Sequence, residues 1–218
     1  MKITRRNMLV TVAAATVLPA SAHAARAPRE LPKFRNEDFY KDGKFNPVAA
    51  KEAYYQLMQF YRYPIVDRLK TDDFWALDFA LGNFLEAGMG GILWVNNKEH
   101  NYFGHEIFLL PGQAIPEHKH VATDAPCKME GWQPRYGMIY LFGEGAPSAD
   151  VKEPLPPMHK DCAKTKCVGL LKPGQVAGLS KPEEWHFMKA GPEGAIVTEY
   201  ATYHDGKGLR FSHPKVVF

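Results

Sequence analysis

Beyond Gly82 the chain breaks into short apolar or alternating runs, at residues 92–95, 106–110, 136–142, 168–171, 185–188 and 195–202. Turn residues close each run, among them Asn96-Asn97, Pro111-Gly112, Gly143-Glu144-Gly145, Pro173-Gly174 and Gly191-Pro192. Runs of this length, punctuated by Gly and Pro, suit strands better than helices. Many such strands in succession predict an all-β sandwich or barrel. Residues 147–166, rich in Pro and charge, read as a surface excursion.

Upstream the texture differs. Residues 25–42 are rich in Pro and charge and predict an arm that wraps the domain. Asn46-Pro47 supplies a helix N-cap with proline at the first helical position. Ala50, Tyr54, Leu57, Met58 and Tyr61 follow at helical spacing and stop before Pro64. Thr71-Asp72-Asp73 predicts a cap for a second, shorter helical segment through Phe74, Trp75 and Leu77.

The first residues read as packaging. Arg5-Arg6 precedes an apolar run, then Pro19 and Ser21-Ala22-His23-Ala24. A charged start, a short apolar stretch and an Ala-x-Ala site describe an export signal, too short to span a bilayer. The paired arginines are similar to the twin-arginine type, which implies the periplasm. The expected organisation is therefore a signal at 1–24, an arm with helices at 25–85 and a barrel at 86–218. Lys2, Arg5 and Arg6 leave with the signal, so 24 basic residues face 24 acidic ones and the formal charge falls from +3 to zero. Bulk charge then argues against nucleic-acid or anionic-membrane partners. An oxidising compartment permits a disulfide between Cys162 and Cys167, leaving Cys127 as a buried or free thiol.

The chemistry centres on Pro111-Gly112-Gln113, followed by an extended segment bearing His118 and His120. Side chains on a strand alternate faces, so both imidazoles point the same way. A His-x-His pair also arises by chance. Glu130 and His186 strengthen the reading, because neutral imidazoles and a carboxylate form a metal site with vacant positions. Three nitrogens and one oxygen accommodate Mn, Fe, Co, Ni or Zn.

Several motifs together resemble the D-lyxose isomerases of the cupin superfamily. They are Pro-Gly-Gln-x-x-Pro-Glu-His-x-His, a Glu ahead of Arg135-Tyr136-Gly137, and Trp185-His186-Phe187 before Ala190-Gly191-Pro192-Glu193-Gly194-Ala195. Asp78-Phe79-Ala80-Leu81-Gly82 and Val95-Asn96-Asn97 agree, so the resemblance spans roughly residues 78–205. It implies a cupin double-stranded β-barrel, or jelly roll, with the N-terminal helical part as an extension. It also implies a divalent metal, manganese first, held by His118, His120, Glu130 and His186. The implied activity is sugar ketol-isomerisation, D-lyxose to D-xylulose, through an enediol.

Such a reaction moves a proton between adjacent carbons and needs a carboxylate near the metal. Glu130 is one candidate. Glu199 is the other, because Val197, Glu199 and Ala201 share one strand face, though an outward-facing acid fits the same pattern. The resemblance implies an active-site acid at Glu199. The family commonly has a substrate-contacting Lys thirteen residues before the first ligand histidine, where this chain has His105. His105 is therefore a candidate substrate contact. Arg135 is a second, expected to reach into the barrel toward Glu130 or a substrate oxygen, with a structural ion pair as the alternative. His159, His204 and His213 fall in polar or terminal segments and are expected to be solvated. Two competing readings share the metal site: an exported cupin oxygenase using iron, and a non-catalytic sugar- or metal-binding cupin. The expected partner is a small sugar, with no membrane partner after export, and a homodimer fits the cupin pattern.

Overall fold

A computed structural model describes residues 30–218, so the export-signal segment at 1–24 lies outside the described residues. Strands β1 (Tyr40–Lys41) and β2 (Lys44–Phe45) form a hairpin ahead of helix α1 (Pro47–Tyr61). Then follow β3 (Phe74–Leu77), β4 (Met89–Asn97), β5 (Tyr102–Leu109) and β6 (His118–His120). The remaining strands are β7 (Glu130–Gly143), β8 (Lys166–Leu171), β9 (Ala177–Gly178), β10 (His186–Ala201) and β11 (Leu209–Phe211). β3 to β11 curl into one antiparallel sheet in the order β11-β6-β10-β5-β4-β3, and β7 joins it along β10 while carrying β8 and β9. This is the double-stranded β-barrel of the cupins. Among the described residues no helix is long and apolar enough to cross a membrane.

α1 forms as its sequence predicts. The Asn46 side chain accepts from the Val48 and Ala49 amides, and Pro47 occupies the first turn, where an amide would lack a partner anyway. The helix buries Ala50, Ala53, Tyr54, Leu57 and Met58 against one face of the sheet. There Phe74, Ile92, Phe108 and Ile196 complete a first core. The other sheet face encloses a second core, including Ile107, Leu109, Trp132, Ile139, Leu141, Met188 and Val197. β5 shows the division: Ile107 joins the inner core while Phe108 joins the outer one. Glu106 shares the outer face with Phe108 and is held by the Thr198 hydroxyl at 2.6 Å and the Tyr63 hydroxyl at 3.2 Å.

The second helical segment does not form. Phe74 and Ala76 pack in the outer core, Trp75 and Leu77 against the inner one, and the segment pairs with β4 as β3. The period-two placement of large residues, once paired, outweighs the local capping signal of Thr71-Asp72-Asp73. The sheet consequently begins at Phe74 rather than at residue 86. The runs at 185–188 and 195–202 also fuse, as two halves of β10 around an irregularity between Ala190 and Ala195.

The Pro-Gly-Gln turn aims the chain into β6. Gln113 N–H donates to the Leu110 carbonyl at 3.0 Å, and Gly112 adopts φ +73°, which favours glycine. The fully buried Gln113 side chain then ties three parts together. Its Oε1 accepts from Tyr54 Oη at 2.7 Å and Leu110 N at 2.9 Å, and its Nε2 donates to the Phe84 carbonyl.

Residues 147–166 are less free than their composition implies. His159, expected in solvent, is fully buried and stacks on Phe187 with centroids 4.2 Å apart. Its Nε2 accepts from the Glu117 amide at 2.8 Å. The buried Glu117 carboxylate accepts in turn from the amides of Lys164 and Thr165 and from the Thr165 hydroxyl. The excursion is thus clamped beside His118. Cys127, Cys162 and Cys167 are all free thiols, so the permitted disulfide is not formed.

Burial pushes the His159 imidazole down to about 4, with His213 adding to the effect. The unfolded chain, with histidine near 6.5, takes up that proton first as pH falls. The contribution of His159 to stability is therefore complete above about pH 6.5 and is lost toward pH 4. His159→Phe should be less stable at pH 7 by about 1–3 kcal/mol, because the Glu117 amide loses its acceptor. The same variant should lose less stability than wild type between pH 7 and pH 5. Urea unfolding at the two pH values checks both, and an unchanged pH slope would refute the assignment.

Candidate active site

The inner face of the barrel converges on one polar cluster. His118 on β6 lies directly opposite His186 on β10. His120 and Glu130, the first residue of β7, complete a set whose four ligand atoms lie within 4.8 Å of one another. His118 Nδ1 donates to the Pro116 carbonyl at 2.9 Å, and His186 Nδ1 to the Glu184 carbonyl at 2.8 Å. A carbonyl can only accept, so each bond fixes the proton on Nδ1 and turns Nε2 toward the cluster. His118 Nε2 is 3.9 Å and His186 Nε2 2.5 Å from Glu130 Oε1, while His120 Nε2 is 3.5 Å from Glu130 Oε2. Neither ring nitrogen of the buried His120 has a hydrogen-bond partner. Buried imidazoles whose Nε2 atoms converge on one point, together with one carboxylate, fit a divalent metal.

Electrostatics favour the same reading. Burial, with His186 and His120 nearby, holds His118 well below its ordinary pKa and so neutral. Burial opposes charge on His186 as well, but the adjoining Glu130 carboxylate outweighs it and lifts the pKa. The cluster attracts positive charge beside Glu130.

Glu199, buried on β10, lies beside Glu130, two ladder positions away through the pairings Glu199–Trp132 and Ala201–Glu130. Its Oε2 meets His105 Nδ1 at 3.1 Å, and the two residues face each other across the β10–β5 ladder. The alternative of an outward-facing Glu199 is thereby removed. His105 is 5 % exposed and sits close over Gly91, where a Cβ would approach its Nε2 to 2.4 Å.

Lys128 links the two carboxylates. Its Nζ lies 2.6 Å from Glu130 Oε2, bonds Glu199 Oε1, and sits 4.4 Å from the Phe103 ring centre. Burial disfavours its charge, yet Glu130 and Glu199 together raise its pKa above the ordinary lysine value. Sequence reasoning passed over Lys128, although it stands two residues before Glu130, the spacing that places strand side chains on one face. Arg135 goes the other way. Counting from Glu130, Trp132 and Pro134 turn inward, so Arg135 is exposed and hydrogen-bonds Gln133 at 3.0 Å rather than entering the cavity. His204, expected in solvent, lines the cavity beside His120, with ring centres 5.8 Å apart. Burial pushes its pKa down to about 3.

The D-lyxose ketol-isomerase of Cohnella laeviribosi is 34 % identical over 140 residues, spanning 64 % of this chain and 75 % of that protein. The chain belongs to the D-lyxose ketol-isomerase family. As such it is a sugar isomerase. The D-lyxose/D-mannose isomerase of Thermosediminibacter oceani is similar too, at 33 % identity over 64 % of this chain and 76 % of its own length. Among solved structures, the L-ribose isomerase of Cellulomonas parahominis shares the fold, with TM-score 0.59 and 15 % identity over 78 % of this chain and 92 % of its own. No family model matches the chain.

Two variants test this geometry. His120→Ala should lose bound Mn²⁺ on dialysis while wild type retains it, read by elemental analysis of the folded protein. Lys128→Met leaves two buried carboxylates without their cation. It should lower the unfolding free energy of metal-free protein by about 3–5 kcal/mol in urea titrations. A loss under 1 kcal/mol would show that Lys128 does not hold the pair together.

Proposed function

We propose that the chain interconverts an aldose and its ketose at this site, with D-lyxose and D-xylulose as the first pair to test. The observation that carries this is Glu199: a buried carboxylate outside the ligand set, beside it, and oriented from both sides. A divalent metal held by His118, His120, Glu130 and His186 would polarise the sugar carbonyl and steady negative charge on the neighbouring oxygen. Manganese is the first choice, and Fe, Co, Ni or Zn meet the same donors.

Glu199 is the base that removes the proton from C2 of the open-chain aldose and returns it to C1, while the proton of the C2 hydroxyl passes to the C1 oxygen. His105, bonded to Oε2, and Lys128, bonded to Oε1, restrict how the carboxylate can turn. Lys128 also places an ammonium where the substrate oxygens gain negative charge. The burial of Glu199 and His105 limits the water that can exchange with the carried proton. A cavity of about 230 Å³ is at the small end for ligand sites and suits one monosaccharide. The N-terminal arginines support export to the periplasm by the twin-arginine route. That route suits a metalloprotein, which can fold and load before it crosses.

Glu199→Gln should keep its metal and lose about 10²- to 10⁴-fold in kcat, the range for a general base. Sugar chromatography and elemental analysis of one preparation read both quantities. Full turnover in that variant would remove Glu199 from the reaction.

A further inference from the structure

The polar groups of the cavity are confined to one patch of its wall. His118, His120, Glu130 and His186 form the ligand set; Lys128 and Glu199 are bonded to each other, and His105 to Glu199. His204 joins the same patch beside His120. Every other side chain lining the cavity is hydrocarbon, thioether or aromatic. On the metal flank the Phe211 ring lies 5.8 Å from His118 and 6.2 Å from Phe79. On the base flank Trp75 lies 5.6 Å from His105, Phe103 lies 5.7 Å from it, and Leu93 faces it across the β4–β5 ladder. Met89, Ile107 and Ile115 line the cavity from the barrel interior.

An open-chain hexose carries an oxygen on every carbon. The oxygens on C1 and C2 belong at the reaction centre, and Lys128, His105 and His204 are the polar donors the lining leaves for those on C3 and C4. A chain pinned by C1 and C2 then sends its tail along one flank or the other. Both flanks are apolar. Trp75 and Trp132 add one N–H donor each and no acceptor. A terminal hydroxyl would give up its water for an incomplete set of partners, whereas a terminal methyl fits the wall as it stands.

Resting on the isomerase reading, we propose that the preferred substrate is a deoxy aldose whose last carbon is a methyl group, of the 6-deoxyhexose class. The reaction is the same proton transfer between C2 and C1, so it needs no co-reactant. Selectivity comes from the apolar wall at the far end of the chain.

The test uses the Mn²⁺-loaded chain and sugar pairs that differ only at C6. These are D- and L-rhamnose against D- and L-mannose, and D- and L-fucose against D- and L-galactose. In the pair of the accepted configuration, kcat/KM for the deoxy sugar should exceed that of its parent by about 10- to 100-fold, the range an apolar pocket achieves against an added hydroxyl. Equal or reversed values would overturn the proposal. Leu93→Gln, checked for unchanged metal content, should narrow the ratio, and an unmoved ratio counts against a role for that wall. If no aldose turns over at all, the isomerase reading fails instead. Calorimetric titration of the Mn²⁺-loaded chain with the same pairs then decides the cavity's preference alone. Tighter binding of the deoxy member supports it, and equal binding overturns it.

Discussion

A lysine ammonium held between two buried carboxylates is the interaction on which the site depends. Moving an unpaired carboxylate into a protein interior costs several kcal/mol, and two side by side repel as well. Lys128 offsets both effects by bonding Glu130 and Glu199 at once. Burial alone would lift the Glu130 carboxyl, but Lys128 and the histidines hold it well below the usual range. One acid can then serve a metal while its neighbour stays outside the ligand set. The Phe103 ring beneath the ammonium adds a cation–π contact that water cannot easily displace.

The barrel supplies this arrangement because its strands are shared between tasks. β10 carries His186 in one half and Glu199 in the other, and the irregularity between Ala190 and Ala195 lets both halves face the same interior. β5 turns His105 inward while α1 covers its outer face. Gln113 connects the two layers, since its side chain is bonded to α1 and its turn delivers the chain toward β6. Stability and chemistry therefore meet in the same few residues. The clamp of Glu117 and His159 beside His118 is another instance.

Residues whose roles follow from local chemistry were legible in the sequence. The helix at Pro47 reads from its cap and spacing, and the aligned imidazoles of His118 and His120 from strand alternation. The turn at Gly112 reads from the backbone freedom only glycine has. Where long-range pairing decides, local signals misled. Thr71-Asp72-Asp73 signals a helix start, yet pairing with β4 makes the following residues a strand. Composition placed His159 and His204 in solvent, because it cannot register what folds over them. Arg135 and Lys128 were misjudged for one reason. Alternation applied outward from Glu130 in both directions excludes the first and selects the second, but only once Glu130 is known to face inward.

By itself, then, the sequence determined the strand-and-turn architecture, the helical cover, and the four clustered side chains that could hold a metal, with the family to which the chain belongs. Those follow from residue type, spacing and backbone preference, which act over a few positions. Tertiary structure alone decided that Glu199 faces the cavity, that Lys128 joins it to Glu130, and that the far walls are apolar. Each depends on which strand lies beside which. That choice is made by burying two sheet faces at once, not by any segment on its own.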